Sequence, residues 1–316
     1  MQLNCPACGG DSTFLSNSKW SRRTNSRVKS ACCSRCNHKL FLKQLIFHEQ
    51  IPSQPEQEYT TLQSVYAHFP VDGHFKVAKP VQFIDSSKTI IMEYEEGEAF
   101  PAVLKQTVGQ ERLELASRAG MWLSRLHNCR EVDPEEPHTV EAAASRFYEL
   151  KDAWKEEQGH QNGIIKMALK LLSKVVPTLD EQTQKRVWIH GDFTPDNILV
   201  HGETIVGLDV AWHSRANPVM DLAPFLNHLA LVAATTFGLK IDTDIAELEA
   251  AFLYGYTQDR SRQQMILLVW YRLYFLLCYR LTSLQSSIVP RYLAKIQFNN
   301  QISRLANELE SILKKQ

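Results

Sequence analysis

An Asp and an Asn five positions apart on one loop, followed twelve positions later by a second Asp, constrain this chain more than any other feature. The loop is His190-Gly191-Asp192-Phe193-Thr194-Pro195-Asp196-Asn197, and the second Asp closes Ile205-Val206-Gly207-Leu208-Asp209. Trp188-Ile189 and Ile198-Leu199-Val200 are short apolar runs flanking the polar loop. His201-Gly202 is a turn into Thr204-Ile205-Val206. The pattern predicts a small antiparallel ribbon with Asp192, Asn197 and Asp209 at one end. Such a trio suits phosphoryl transfer, in which one group orients an acceptor hydroxyl and two hold Mg²⁺ on nucleotide phosphates.

The pattern H-G-D-x-x-x-x-N, with Leu208-Asp209 and then Pro218-Val219-Met220-Asp221-Leu222-Ala223, resembles the aminoglycoside phosphotransferase and choline kinase group. These are small-molecule kinases with a protein-kinase-like fold. The resemblance implies an α+β, bilobal chain: a small antiparallel-sheet amino-terminal lobe and a large, mainly helical carboxy-terminal lobe. It further implies that Asp192 aligns or deprotonates the acceptor hydroxyl, that Asn197 and Asp209 ligate Mg²⁺, and that Asp221 braces the loop from below. The donor is then ATP, and the acceptor a hydroxyl of a sugar, aminoglycoside or amino alcohol. Surface turns rich in Asp and Asn are the competing reading, which the ordered succession of three motifs disfavours. The resemblance spans residues 38–316, is strongest over 190–223 and is weakest in the acceptor region.

At 316 residues the chain is long enough for two lobes. Equal numbers of basic and acidic residues, 35 each, argue against nucleic acid or an anionic membrane as the main partner. No amino-terminal apolar stretch resembles a signal peptide, which points to the cytoplasm. The most apolar segment, 265–281, is interrupted by Arg272 and Arg280 and is short for a bilayer span, so it reads as a buried helix.

Five of the seven cysteines lie in the first 36 residues. Cys5-Pro6-Ala7-Cys8 and Cys33-Ser34-Arg35-Cys36 read as two knuckles of a zinc ribbon, with Cys5, Cys8, Cys33 and Cys36 as tetrahedral thiolate ligands. Cys32 and His38 are possible substitutes for one ligand, and a disulfide pair is the alternative in an oxidising compartment. Cys129 and Cys278 read as core residues. Residues 12–16 and 27–31 form two expected strands joined by the tip 17–26, and 39–45 a third. That order brings the knuckles together and matches what a kinase amino-terminal lobe requires.

Lys43, in the third strand, is the candidate for pairing the nucleotide's α and β phosphates. Residues 56–69 have helical spacing, and Glu58, one turn before Leu62, is the carboxylate expected to orient Lys43; Glu56 and Glu49 are alternatives. Strands are expected over 81–84 and 89–94. The backbone of Glu93, Tyr94 and Glu95 should then meet the adenine edge, with the hinge ending at Gly97. No G-x-G-x-x-G precedes Lys43. The tip occupies its place, and between Thr13 and His48 there is no Asp or Glu while eight residues are Lys or Arg. Arg22 and Arg23 are therefore the candidates to cover the phosphates through charge-assisted hydrogen bonds, over a hairpin clamped by zinc. A ribbon tethered separately ahead of the kinase is the alternative. The domain boundaries are thus 1–38 for the ribbon, integrated into the lobe, 39–97 for the lobe and hinge, and 98–316 for the helical lobe.

Helices are expected over 111–129, 139–150, 164–176, 222–239, 242–256, 265–284 and 290–315, with a polar insertion at 155–163. His127 and His190 read as hydrogen-bonded braces and not as proton carriers. Trp270, Tyr271, Tyr274 and Tyr279 either line an acceptor pocket or, as such stripes more often do, fill the core. Trp212, His213 and Arg215 lie near the chemistry. A protein kinase is disfavoured by the lack of an A-P-E-like element after Asp209. A zinc-ribbon interaction protein on a kinase-like scaffold is the non-enzyme alternative.

Overall fold

A computed structural model describes the chain except residues 1, 10, 16–18, 24–25, 47–54, 70–72, 131–140, 158–162, 180–185, 211–213, 238–241, 258–260, 286–290 and 315–316. The amino-terminal lobe is built on one sheet. Its strands are β1 (Gln2–Asn4), β2 (Asp11–Leu15), β3 (Ser21–Arg22), β4 (Ser26–Cys33) and β5 (Lys39–Leu45). After helix α1 (Pro55–His68) and strand β6 (Phe75–Val77) come β7 (Pro80–Ile84) and β8 (Thr89–Glu93). The strands run in the order β1-β2-β4-β5-β8-β7, with β3 pairing β4, and every pairing is antiparallel. The cysteine knuckles are the β1–β2 and β4–β5 turns, so the ribbon and the lobe share a continuous sheet.

Strand alternation divides the side chains of this sheet between two thin cores. Ala31, Leu40, Leu42 and Ile91 face one side, covered by Trp20, Val81 and Ile84. Ile90 and Met92 pack with Phe41, Leu45 and Phe83 on the other, against Leu62 and Tyr59 of α1. Lys43 lies between Val28 and Ile90 in register and two residues from both Phe41 and Leu45, which sends it to the α1 side.

The carboxy-terminal lobe begins with β9 (Glu98–Ala99), α2 (Phe100–Gln106), α3 (Gly109–Asn128), α4 (Glu141–Glu156) and α5 (Gly163–Val175). Four short strands follow: β10 (Val187–Ile189), β11 (Ile198–His201), β12 (Thr204–Gly207) and β13 (Ser214–Ala216). Helices α6 (Val219–Phe237), α7 (Asp242–Tyr256), α8 (Arg262–Gln285) and α9 (Arg291–Lys314) complete it. The expected ribbon is β11–β12, paired from Ile198↔Gly207 to His201↔Thr204. It is widened by two strands the sequence pattern missed, β9 on one edge and β6, parallel to β12, on the other. Segments of two or three residues are too short to display a period of two. The β10–β13 pair, Val187↔Ala216 to Ile189↔Ser214, closes the base of the Asp192 loop.

Three helices differ from expectation. The helical region opens at Phe100, ahead of the expected start, and α4 runs six residues beyond 150 into the supposed polar insertion, whose residues 158–162 lie outside the described set. Helix α8 spans 24 residues, longer than its apolar segment and long enough by length and composition to cross a membrane. Its environment is a protein core. Arg272 is 3% exposed and bonded to Glu249 of α7 at 2.5 and 3.0 Å, to which Arg304 of α9 also donates. Asn227 of α6 accepts from the Arg272 Nε at 3.2 Å and donates to its carbonyl. One ion cluster therefore fastens four helices. Cys129 and Cys278 pack partly buried against the main core, as expected.

Candidate active site

Phe193, at the centre of the Asp192 loop, is fully buried between two aromatic rings. Trp122 stacks on it at 5.4 Å and 6°, and Phe225 at 4.8 Å and 20°; Phe252 continues the stack at 4.3 Å from Phe225. This pile anchors the loop to α3, α6 and α7. Its backbone is held by Asp221, whose Oδ2 accepts from the His190 amide at 2.6 Å and whose Oδ1 accepts from the Gly191 amide at 2.8 Å. Burial would push the Asp221 carboxyl up, but the His127 Nε2–H at 2.9 Å and the charge of its surroundings outweigh burial and hold it below the ordinary carboxylate value. His127 is fixed from its other side by the Tyr256 hydroxyl at 2.9 Å. The bracing expected of Asp221 and His127 is thus visible in the geometry.

His190 ties the loop to the ribbon. Its Nε2–H donates to the Leu208 carbonyl at 2.9 Å, which leaves Nδ1 as acceptor for the Asp192 amide at 3.3 Å. Both partners specify the same neutral tautomer. A second tie, Leu208 N–H to Asn197 carbonyl at 2.9 Å, sets Asp209 beside Asn197. Asn197 Nδ2 donates to the Asp192 carbonyl at 2.8 Å and to Asp192 Oδ2 at 3.3 Å, while its Oδ1 accepts no hydrogen bond among the described residues. Asp209 itself adopts φ 57°, a left-handed conformation uncommon for a residue with a Cβ. The ribbon end and these two ties impose it, and strain of this kind gathers where a side chain must be aimed.

Across the cleft, Lys43 Nζ lies 2.5 Å from Glu58 Oε1 and 3.1 Å from Asp209 Oδ1. Glu56 is exposed on the far side of α1, and Glu49 is outside the described residues. Burial alone would lower the Lys43 ammonium, yet the charges of Asp209 and Glu58 outweigh it and raise it above the usual lysine value. Burial pushes the Asp209 carboxyl up, and Lys43 overcomes it and holds it below the usual range, with Arg23 adding in the same direction. Lys43 is therefore a cation and Asp209 an anion at neutral pH. The Asp209 side chain is still 47% exposed, so it faces the open cleft with room for a cation.

Glu93 ends β8 and Tyr94 follows it at the expected hinge, but their amides are engaged. Glu93 N–H donates to the Lys79 carbonyl at 2.9 Å and Tyr94 N–H to the Lys39 carbonyl at 3.3 Å. Of the three, only the Glu95 amide donates no hydrogen bond among the described residues. The Glu93 carboxylate reaches back to the ribbon, 2.5 Å from His38 Nε2. Arg22 and Arg23 are exposed, Arg22 opposite Arg27 in register and Arg23 N–H closing a turn onto the Ser26 carbonyl at 2.7 Å.

Helices α6 and α8 each bring one ring under the influence of the Asp192 carboxylate. His228 and Tyr279 lie 5.3 Å apart, ring to ring. Burial depresses the His228 imidazole below 6.5 despite the carboxylates of Asp196 and Asp192, which oppose it. Burial together with the Asp192 charge pushes the Tyr279 hydroxyl up to about 12. Both groups are thus neutral and both feel the charge of the Asp192 loop. The sequence carried no sign of His228 or Asp196 in this role, because nothing in the spacing of α6 says which turn faces the loop. The other aromatics of α8 divide as core: Trp270 is fully buried, donates from Nε1 to the Leu172 carbonyl at 3.1 Å and stacks on Tyr274, and Tyr271 is 8% exposed. Arg215 pairs with Trp188 across strands and stacks on its ring at 5.5 Å, while Trp212 and His213 lie outside the described residues.

The four sulfurs of Cys5, Cys8, Cys33 and Cys36 lie within 4.8 Å of one another. Cys5 and Cys36 are 3.6 Å apart and Cys8 and Cys33 3.9 Å. Tetrahedral thiolates about 2.3 Å from Zn²⁺ would be roughly 3.8 Å apart. Each knuckle closes with a left-handed residue, Gly9 (φ 64°) and Asn37 (φ 58°), whose amides donate to the Cys5 and Cys33 carbonyls. The His38 backbone pulls the Cys36 thiol down, but burial and the hydrogen bonds of the other three thiols push it up to about 12. The donor set fits zinc. Cys32 points to the face opposite Cys33 and lies outside the cluster, as does His38.

The sequence profile of the phosphotransferase enzyme family matches residues 46–260. No curated protein matches the chain in sequence. Among solved structures, a glucosamine kinase superposes with TM-score 0.65 at 15% identity, covering 87% of this chain and 75% of its own. A Plasmodium vivax ethanolamine kinase gives 0.57 at 14% identity over 90% and 81%. A choline/ethanolamine kinase family protein from Mesorhizobium loti gives 0.58 at 15% over 98% and 94%. At such identities the likeness is one of fold.

Proposed function

The chain belongs to the phosphotransferase enzyme family, and from that premise we propose that it transfers the γ-phosphoryl group of ATP, with Mg²⁺, to a hydroxyl of a small molecule. The observation that carries the reading is Lys43 bridging Glu58 and Asp209, residues far apart in sequence, inside the cleft. Lys43 would hold the α and β phosphates, with Glu58 keeping its ammonium in place. Asn197 Oδ1 and the Asp209 carboxylate would hold Mg²⁺, which when bound neutralises phosphate charge. The Glu93–Glu95 backbone would meet the base, chiefly through the Glu95 amide, and Arg22 and Arg23 would cover the phosphates from the tip. The four cysteine sulfurs would hold Zn²⁺ and make residues 1–38 part of the nucleotide lobe.

Asp192 would accept the proton of the acceptor hydroxyl as its oxygen bonds to phosphorus and the β–γ bridge breaks. His228, neutral at pH 7, and Tyr279 offer hydrogen bonds to an acceptor, while Asp192 and Asp196 favour one carrying an ammonium group. Amino alcohols and amino sugars, the class named by the ethanolamine and glucosamine kinases of like fold, meet both conditions. The test is a phosphate-transfer screen of hydroxylated metabolites and aminoglycosides with Asp192→Asn as blank. The substitution should remove turnover by about 10³-fold or more while leaving ATP binding within about twofold, since it takes away a proton acceptor and not a phosphate contact. Full turnover in the variant would end the assignment, and failure of the native protein to bind Mg²⁺·ATP would leave only a scaffold.

A further inference from the structure

Helix α5 carries Lys166, Lys170 and Lys174 four residues apart, which puts three ammonium groups on one stripe. Lys151 and Lys155 repeat that spacing on α4. All five line one groove of about 530 Å³ between the helices, together with Leu169 and Ser173. Lys155 pairs with Asp152 at 2.6 Å; no carboxylate pairs with the other four among the described residues. Residues 163–178 contain no Asp or Glu, in a chain whose basic and acidic residues are equal in number. Like charges at this spacing destabilise the helix that bears them, so an electroneutral protein gains nothing in stability from gathering them. None of the lining residues belongs to the candidate active site.

We propose that the groove between α4 and α5 is a second anion site, which takes a compact polyphosphorylated small molecule. Its volume is that of a small-ligand cleft. Lysine ammonium groups are point charges with rotatable donors, suited to a run of phosphates more than to planar, two-pronged recognition of a carboxylate, which arginine does better. Among the described residues Leu169 is the one apolar residue lining it and no aromatic does, so these residues offer no wedge for a bilayer and no platform for a stacked base. The opposite face of α5, with Ile165, Ala168 and Leu172, is buried in the core, which keeps the lysine stripe fixed outward.

The test is calorimetric titration of the full chain with inorganic tripolyphosphate at low salt. The native protein and Lys43→Met should bind it alike at the groove, and the triple variant Lys166→Gln/Lys170→Gln/Lys174→Gln should lose at least tenfold in affinity. The triple Lys→Arg variant should retain binding, which separates charge from folding. Absence of binding to the native chain, or equal affinity in the glutamine variant, would overturn the proposal. So would tighter, lysine-dependent binding to phosphatidylserine vesicles or to oligouridylate, each of which would give the groove to another class of partner.

Discussion

A methyl group added to Gly207 would fall 1.9 Å from the Trp122 ring, so the indole packs on the strand before Asp209 only because this residue has no side chain. Trp122 in turn donates to the Lys76 carbonyl at 2.7 Å and stacks on Phe193, so one glycine sets the spacing of the whole loop. Gly207→Ala should therefore destabilise the protein by about 1–3 kcal/mol or more, read as a lower denaturant midpoint with unchanged slope. Asp221 makes a pH-dependent contribution. Because its folded carboxyl is held below the ordinary aspartate value of 3.8, the stability it supplies is complete above that value and is lost as pH falls through the depressed one. An Asp221→Asn variant should be less stable at pH 7 by about 3–5 kcal/mol, and the gap should narrow in acid-unfolding series towards low pH. At this scale the motif residues were legible because loop chemistry demands particular atoms. His228 was not, because its meaning comes from which turn of α6 faces Asp192.

Elements were legible in proportion to their length. Helix α7 and strand β5 fall where the spacing predicts them, whereas β6, β9 and the β10–β13 pair exist through their partners alone. The cysteine turns show the reverse: two short knuckles were readable because metal ligation fixes their chemistry. They carry a prediction at the scale of the element. If the β1–β2 and β4–β5 turns share zinc, the purified protein retains it in a ratio of one per chain, and Cys5→Ser or a strong chelator lowers the melting temperature by ~2–4 °C for each kcal/mol lost. Metal analysis with thermal melts checks it, and a protein that melts identically with and without chelator would refute the structural role.

At the scale of the molecule, the sheet joins the ribbon to the hinge. Strand β4 runs beside Lys43 into the cysteine turn, β5 leaves that turn and carries Lys43, and His38 meets Glu93 at the start of the interlobe segment. Strand β3 pairs with β4 at Ser21↔Val28 and Arg22↔Arg27, and the charge of Arg23 helps hold the Asp209 carboxyl down. Replacing Arg22 and Arg23 by Ala should raise KM for ATP by about tenfold, ~1.4 kcal/mol, and leave KM for the acceptor unmoved. An unchanged nucleotide affinity would remove the tip from the phosphate site.

By itself the sequence singled out the Asp192, Asn197 and Asp209 trio and the four clustered cysteines as candidates, since catalysis and ligation require given atoms at given spacings along the backbone. It also determined the bilobal α+β plan, through periodicity and the resemblance those motifs carry. Only the tertiary structure decided which glutamate meets Lys43, which aromatic of α8 reaches the loop, and that the ribbon continues the lobe's own sheet. These depend on the packing of separate segments, where the direction a side chain takes is set by neighbours many positions away and not by the residues beside it.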